Sequence, residues 1–313
     1  MRSALAFSLI LTLFCAVFVS TAHAAASVAT GSSCVQPPAS QDLTTLSDAQ
    51  RQAFGLPRKP QYMSDADWKN ILNHARHRFC VGVPTNVAAT SQESFNNWAG
   101  NIAIGGGYQE VSAHFNVPCV SSSPRSAYSA HWIGLGGDPN DGDGNLVQDG
   151  VEADVDSNGN AKYYAWYQDY PHDKHEQFIY NVHCGDTIYA QADSNFTYSG
   201  KAYMWLLDVT LNAFSAQETS LANGSTAEWI SERPTVDGIS GYPTLADFNY
   251  VTFNDAAAYV NGGYQNVGQT NHNYAIMCNG GLWTCGPFST QLAHPGPISS
   301  SGTSFTNYWD AGS

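Results

Sequence analysis

Cations are scarce in this chain. Of its 313 residues only 12 are Lys or Arg, against 26 Asp or Glu, and both signs together make up 12% of the sequence. That is about half the share usual in soluble domains. The few cations are also unevenly placed. Six lie between Arg51 and Arg78, whereas from residue 91 onward five face twenty-two carboxylates. A surface so poor in cations repels phosphate, which excludes nucleic acid as a partner. Beyond the first two dozen residues no apolar run is long enough to span a bilayer, which excludes a membrane protein of the helical kind. Several motifs are missing as well: Gly-x-Ser-x-Gly, His-Glu-x-x-His, a phosphate loop, and Asp-Thr-Gly or Asp-Ser-Gly. Their absence removes the common nucleophile-elbow, zinc-peptidase and nucleotide-binding chemistries.

What is present begins with an export signal. Arg2 supplies a charged start, Leu5 to Val19 an apolar core, and Ala22-His23-Ala24 a small-x-small cleavage site, so residues 1–24 are expected to be a secretory signal peptide and the product extracellular. Cys15 leaves with it. Six cysteines remain (Cys34, Cys80, Cys119, Cys184, Cys278, Cys285), and in an oxidising compartment an even number implies up to three disulfides. Spacing selects one pair, Cys278–Cys285, around a short Gly-rich loop. With paired cysteines there is no evident thiol nucleophile. A chain rich in carboxylates sheds most of its charge in acid, so the composition implies an acid working environment.

Residues 25–90 differ in texture from the rest. After an Ala/Ser/Thr-rich leader, Ser47 caps a short helical pattern that stops before Pro57. Ser64 with Asp67 resembles a capping box, followed by Trp68, Ile71, Leu72, Ala75 and Phe79 on one helical face. Their basic residues suit a pro-segment that docks on an acidic domain. From about Ser94 the pattern turns to short alternating runs separated by Gly, Asn, Asp, Ser and Pro clusters, which predicts strands throughout. Expected strands include 108–116, 131–135, 187–193, 202–212, 248–254, 274–277 and 304–309. Asn158-Gly159 between 151–155 and 161–170 signals a hairpin. Residues 91–313 thus make one all-β, antiparallel sandwich domain.

Weaker signals have simpler explanations. Asp138–Asp143 and Asp154–Gly159 resemble calcium loops, but one lacks the required glycine and the other the terminal acid, so both are expected to be turns. His172-Asp-Lys-His175-Glu suits a solvated loop better than a metal site. Asn195-Phe-Thr197 and Asn223-Gly-Ser225 are glycosylation sequons.

Two strands carry chemistry. In Thr226–Pro234, alternation puts Thr226, Glu228, Ile230 and Glu232 on one face, and Pro234 ends the ladder. The two glutamates lie about 13 Å apart along the strand at roughly 3.3 Å per residue, so only one can serve a given water. In Leu146–Val155 the face of Val147, Val151, Ala153 and Val155 is core-like apart from Asp149, leaving Gln148, Gly150 and Glu152 on the other side. Opposite a glutamate, an amide N–H can stabilise an oxyanion while the carboxylate handles the proton of a water.

At this point the chain resembles the glutamic peptidases, the eqolisin family. The matching pieces are Asn97-Trp-Ala-Gly100, Trp132-Ile-Gly-Leu-Gly-Gly137, Val147-Gln-Asp-Gly-Val151, Tyr164-Ala-Trp-Tyr167 with Tyr170-Pro171, Ala227-Glu-Trp-Ile-Ser-Glu232 and the closing strand Phe305–Trp309, in that order over residues 94–313. The resemblance implies two packed antiparallel sheets with a cleft on one concave face. It implies Gln148 and Glu232 as catalytic dyad, with Trp98, Trp132, Trp166 and Glu228 in substrate binding. It also implies no metal or cofactor, protein or peptide substrates, and a basic pro-segment acting as intramolecular inhibitor of a monomeric acid endopeptidase. Two departures from the family pattern, Gly136 for an acidic residue and Gln168 for a glutamate, bear on local proton affinities. Two other readings compete: a sandwich-fold glycosidase pairing Glu232 with Glu228 or Glu152, and a non-catalytic lectin-like module binding through its aromatics.

Overall fold

The computed structural model describes residues 87–313 apart from 122–124, 140–143, 195–201, 220–223, 262, 281–284 and 287–288, together with 40–47 and positions 50, 65 and 69. All of these belong to one compact unit, Val35–Ser313. The expected signal peptide and nearly all of both expected N-terminal helices lie outside the described residues. At the start of the first helix, however, Gln50 N–H donates to Ser47 Oγ over 3.3 Å and Ser47 N–H donates to Gln50 Oε1 over 2.9 Å, the reciprocal pairing of a capping box.

Among the described residues the chain forms sixteen strands. In order they are β1 (Ser91–Phe95), β2 (Trp98–Ala103), β3 (Tyr108–Asn116), β4 (Ala130–Gly136), β5 (Leu146–Val155), β6 (Ala161–Tyr170), β7 (Gln177–Asn181), β8 (Thr187–Ser194), β9 (Ala202–Asp208), β10 (Ala213–Thr219), β11 (Ala227–Glu232), β12 (Tyr250–Val260), β13 (Gly263–Asn266), β14 (His272–Asn279), β15 (Thr290–Pro295) and β16 (Phe305–Trp309). One sheet runs β7-β6-β5-β4-β11-β2-β14-β15-β16 and ends on the first part of β12. The other runs β10-β9-β8-β3 and ends on the second part of the same strand, which also carries β13. β12 passes between them where its register with β3 shifts after Asn254 and Asp255 takes φ +49°. A bulge of this kind bends a strand enough to serve two layers. Pairing is antiparallel except at β1, which joins β14 in parallel.

Alternation explains the layers. Ile133 and Leu135 of β4, Val147, Val151, Ala153 and Val155 of β5, and Trp229 of β11 point between the sheets, where they meet Val111, Ala113 and Phe115 of β3 and Phe253 of β12. Fully burying one such side chain stabilises the fold by about 1.5–3 kcal/mol. Trp229 adds direction, because its indole N–H donates to the Ser112 carbonyl of the facing sheet over 3.0 Å.

The long run expected at 202–212 breaks into the hairpin β9–β10. Leu211 N–H donates to Asp208 Oδ1, and Asn212 takes φ +53°, a conformation asparagine tolerates. The β5–β6 hairpin forms as expected, with a longer turn than Asn-Gly alone suggests. Asp156 accepts from the backbones of Asn158 and Asn160, and Gly159 takes φ +82°. Disulfides join Cys278 to Cys285, as spacing indicated, and Cys119 to Cys184. Cys34 and Cys80 lie outside the described residues.

Several carboxyls are enclosed by this packing. Burial pushes Asp149, Glu110 and Glu152 well above the usual carboxylate range; Asp193 and Asp154 respectively add to the push on the last two. Each binds its proton more tightly folded than unfolded. The stability they contribute is therefore complete below about pH 4, where the unfolded chain also holds those protons, and is lost as pH rises through the higher folded values. We expect the melting temperature to fall when pH is raised from about 4 to 8. A melting temperature that climbed over that interval in scanning calorimetry would contradict this.

Candidate active site

The sheet register lays out the open face of the first sheet in rows. Glu228 is level with Gly134, Gln148 and Gln168 on successive strands β11, β4, β5 and β6. The next row holds Ile230, Trp132, Gly150 and Trp166, and the third holds Glu232, Ala130, Glu152 and Tyr164. A cleft of about 550 Å³ opens over these rows. Gln148, Glu232, Trp98 and Trp166 line it, along with Asn97, Gln168, Glu176 and Tyr170. Trp132 and Glu228 are fully buried and lie outside its lining. Gln148 and Glu232 thus face one cleft across a diagonal, two strands and four residues apart.

Glu232 is the last residue of its strand, and the chain on either side fixes it. Arg233 N–H donates to the Asn97 carbonyl over 2.8 Å, and the Arg233 guanidinium donates to Asn96 O over 2.6 Å. Those bonds hold the turn before β2 against the end of β11. From that turn Asn97 Nδ2 donates to Glu232 Oε1 over 2.9 Å, while the Trp132 indole donates to Oε2 over 2.8 Å. Trp132 has room because Gly150 lies opposite: a Cβ there would come within 2.2 Å of the His131 carbonyl oxygen and 2.6 Å of Trp132 Cβ. Trp98 meets Trp132 edge-on at 5.1 Å and stacks on Phe95 at 5.6 Å, an arrangement that keeps both indoles rigid.

Burial raises the proton affinity of Glu232 until its pKa reaches about 7, against the opposite pull of the Trp132 and Asn97 hydrogen bonds. Each oxygen accepts a single N–H from these two residues, and the Trp98 side chain adds a smaller pull in the same direction. Glu152, in the same row, is pushed well above its ordinary range by burial and by Asp154, whose own carboxyl is pushed to about 6 by burial. Gln148 donates from Nε2 to Gln168 Oε1 over 2.7 Å. Glu228 sits near Tyr108, whose hydroxyl is driven up to about 12 by burial and then by that charge.

Behind Glu232, Ser231 Oγ and His131 Nδ1 lie 3.0 Å apart, and Asn307 donates to Ser231 over 3.1 Å. This pair has the elements of a serine nucleophile, but both residues are fully buried in the core and cannot meet a substrate. Burial holds the His131 imidazole neutral, its pKa lowered to about 3. Among the described residues no group of three or more His, Cys, Asp or Glu is placed to hold a metal ion. His172 faces Asp169 at 3.3 Å and His175 faces Asp237 at 3.8 Å, as in an ordinary loop. Residues 140–143 of the first calcium-like loop lie outside the described residues, and the second is the β5–β6 turn.

Among the lining residues outside the expected dyad and substrate-binding set are Asn97, Gln168 and Glu176. Asn97 is 135 positions from its partner Glu232, and alternation says nothing about a turn residue. Gln168 was legible as a departure from a motif, and its register opposite Gln148 follows from the hairpin between β5 and β6.

Trp132→Phe keeps a ring in place and removes the indole N–H. Loss of one hydrogen bond to a charged oxygen, about 1.5–3 kcal/mol, should raise the Glu232 pKa by about one unit or more. A ¹³C titration of labelled glutamate reads this directly, and an unchanged or lowered pKa would remove Trp132 from the account.

A family model, Peptidase A4, matches residues 96–286 of the chain. The chain is 29% identical over 191 residues to Aspergillopepsin-2 of Aspergillus niger, an alignment covering 54% of this chain and 66% of that protein. It is 29% identical over 141 residues to Scytalidopepsin B of Scytalidium lignicola, covering 44% of this chain and 51% of that one. Its fold matches the crystal structure of scytalido-glutamic peptidase with a transition state analog inhibitor at a TM-score of 0.55 and 20% identity, over 69% of this chain and 98% of that chain.

Proposed function

The chain belongs to the Peptidase A4 family, and from that premise we propose that it is an acid endopeptidase working through Gln148 and Glu232. The observation that carries the proposal is the shared cleft: a carboxyl with strongly raised proton affinity and a neutral amide line it together. A peptide bond lying between them would turn its carbonyl oxygen toward the Gln148 amide, which donates as negative charge develops. Glu232 handles the protons. In acid it carries one, since its pKa is about 7. A protonated carboxyl gives its O–H proton to the substrate from one oxygen while the other takes a proton from the attacking water. The hydrogen bonds from Trp132 and Asn97 orient both oxygens for that exchange. After addition the proton gained from water passes to the leaving nitrogen, and as the C–N bond breaks Glu232 recovers a proton from a hydroxyl of the adduct.

Supporting residues follow from placement. Trp98 and Trp166 would contact substrate side chains in the cleft, while Trp132 acts on Glu232 from beneath and Glu228 supports the floor. The glycosidase reading finds less support. Glu228 is sealed away from the cleft, and Glu152 is occupied with Asp154. Residues 1–24 would direct export to the extracellular space, and the basic segment within 25–90 would inhibit by covering the acidic cleft until acid discharges its carboxylates. Among the described residues no helix is long and apolar enough to cross a membrane. The mature enzyme would act as a monomer on proteins and peptides.

One experiment tests this reading. The purified precursor, acidified with denatured protein as substrate, should shorten from its N-terminus toward residue 91 and then cleave the substrate. Its kcat/KM should be full in acid and fall as pH rises through about 7, where Glu232 loses its proton. Gln148→Ala should fold and lose about two to three powers of ten in turnover. A profile that instead rises through 7 would make ionised Glu232 the competent form. Near-normal cleavage by Gln148→Ala would end the dyad assignment.

A further inference from the structure

Gln148 can reach its donor role only if its amide faces the right way. An amide presents N–H₂ on one side and an oxygen on the other, and a half-turn about its last bond exchanges them at little cost in shape. In the structure the Gln148 Nε2 donates to Gln168 Oε1 over 2.7 Å, and Gln168 Nε2 donates in turn to the Asp173 backbone carbonyl over 3.4 Å. The end of this relay is a peptide oxygen, which can only accept. Gln168 must therefore turn its nitrogen toward Asp173 and its oxygen toward Gln148. Gln148 must then turn its nitrogen toward Gln168, leaving one N–H on that nitrogen for the cleft.

The relay rests on fixed backbone. Gln148 and Gln168 are directly opposed in the β5–β6 ladder. The Asp173 carbonyl is placed by a tight turn, with Asp173 N–H donating to Asp169 O over 2.7 Å and Asp169 N–H donating to Asp173 Oδ2 over 3.1 Å. Both glutamines are buried at 9% exposure or less, although they line the cleft, so water competes poorly for these bonds.

We propose that Gln168 is a positioning residue that fixes the polarity of the Gln148 amide by passing on the constraint of the Asp173 carbonyl, and that its neutrality keeps this setting independent of pH. The proposal rests on the dyad reading above. A leucine at 168 would free the Gln148 amide to rotate. A glutamic acid at 168 would imitate the glutamine only while protonated, when its O–H donates to Asp173 and its carbonyl accepts from Gln148. Once ionised it would present an oxygen to the Asp173 carbonyl and a negative charge to the developing oxyanion. The titratable and charged groups around it are Glu228 in its own row and Glu232, both from β11, Asp169 and Tyr170 at the end of β6, and His172, Asp173, Lys174, His175 and Glu176 from the loop after it. Among the described residues that line the cleft, Lys174 is the one permanent cation.

The test compares wild type, Gln168→Leu, Gln168→Glu and Gln148→Ala on one peptide across pH, with thermal melts to establish folding. Gln168→Leu should lose about tenfold or more in kcat, part of the cost of a whole oxyanion donor, with KM changed less than about threefold. Gln168→Glu should keep kcat within about threefold of wild type at low pH. Above the titration of its new carboxyl it should lose about tenfold per pH unit, at a pH where the wild type is still fully active. A Gln168→Glu profile superimposable on wild type overturns the proposal, as does a folded Gln168→Leu with wild-type kcat. If Gln168→Leu does not fold, the Gln168→Glu profile decides alone. Failure of the underlying dyad reading is separate, because it appears as an active Gln148→Ala protein.

Discussion

The Trp132 indole reaches Glu232 Oε2 over 2.8 Å because β4 lies beside β11 in a register that sets Ala130 opposite Glu232 and Trp132 one row away. The small alanine leaves the carboxyl uncovered, and the glycine opposite Trp132 on β5 leaves the ring its place. A one-residue slip of β11 would turn Glu232 into the core and bring Ser231 out. The register is held by the residues on the reverse side. Trp229 is fully enclosed between the sheets and tied to Ser112, while Ser231 is bound to His131 and Asn307. The core therefore determines which oxygens face the cleft. An elevated proton affinity at Glu232 follows, since the same packing that orients the carboxyl removes water from it.

That cost recurs across the molecule. Asp149, Glu110 and Glu152 are enclosed with proton affinities raised in the same direction. Each rise in pH therefore favours charge on groups that the fold holds out of water. The scarcity of cations points the same way, with five Lys and Arg after residue 90 against twenty-two carboxylates. Composition and structure thus give one physical statement from two sides: this chain is built to hold protons.

Alternation makes much of this legible in the sequence. The faces of β5 and β11 were assigned correctly residue by residue, down to Asp149 as the exception in the core, because period two in a strand leaves a single choice. Local chemistry located the β5–β6 hairpin and the Cys278–Cys285 bridge. What stayed hidden was whatever depends on register or on distant turns. That Glu228 is sealed while Glu232 is open could not come from alternation, since both share a face. Asn97 and Gln168 took on their meaning through partners in other elements. The break between β9 and β10 was missed because Asp208 and Asn212 sit inside a run whose apolar residues continue the strand pattern.

Glu232 carries the central claim, and its neighbour four residues back on β11 supplies the control. Turnover of a peptide in acid by Glu232→Gln and by Glu228→Gln, each shown by thermal melting to be folded, tests the account most directly. Glu232→Gln should be folded and essentially without activity, while Glu228→Gln retains measurable turnover. Cleavage surviving in Glu232→Gln at a rate near that of the wild type would contradict it.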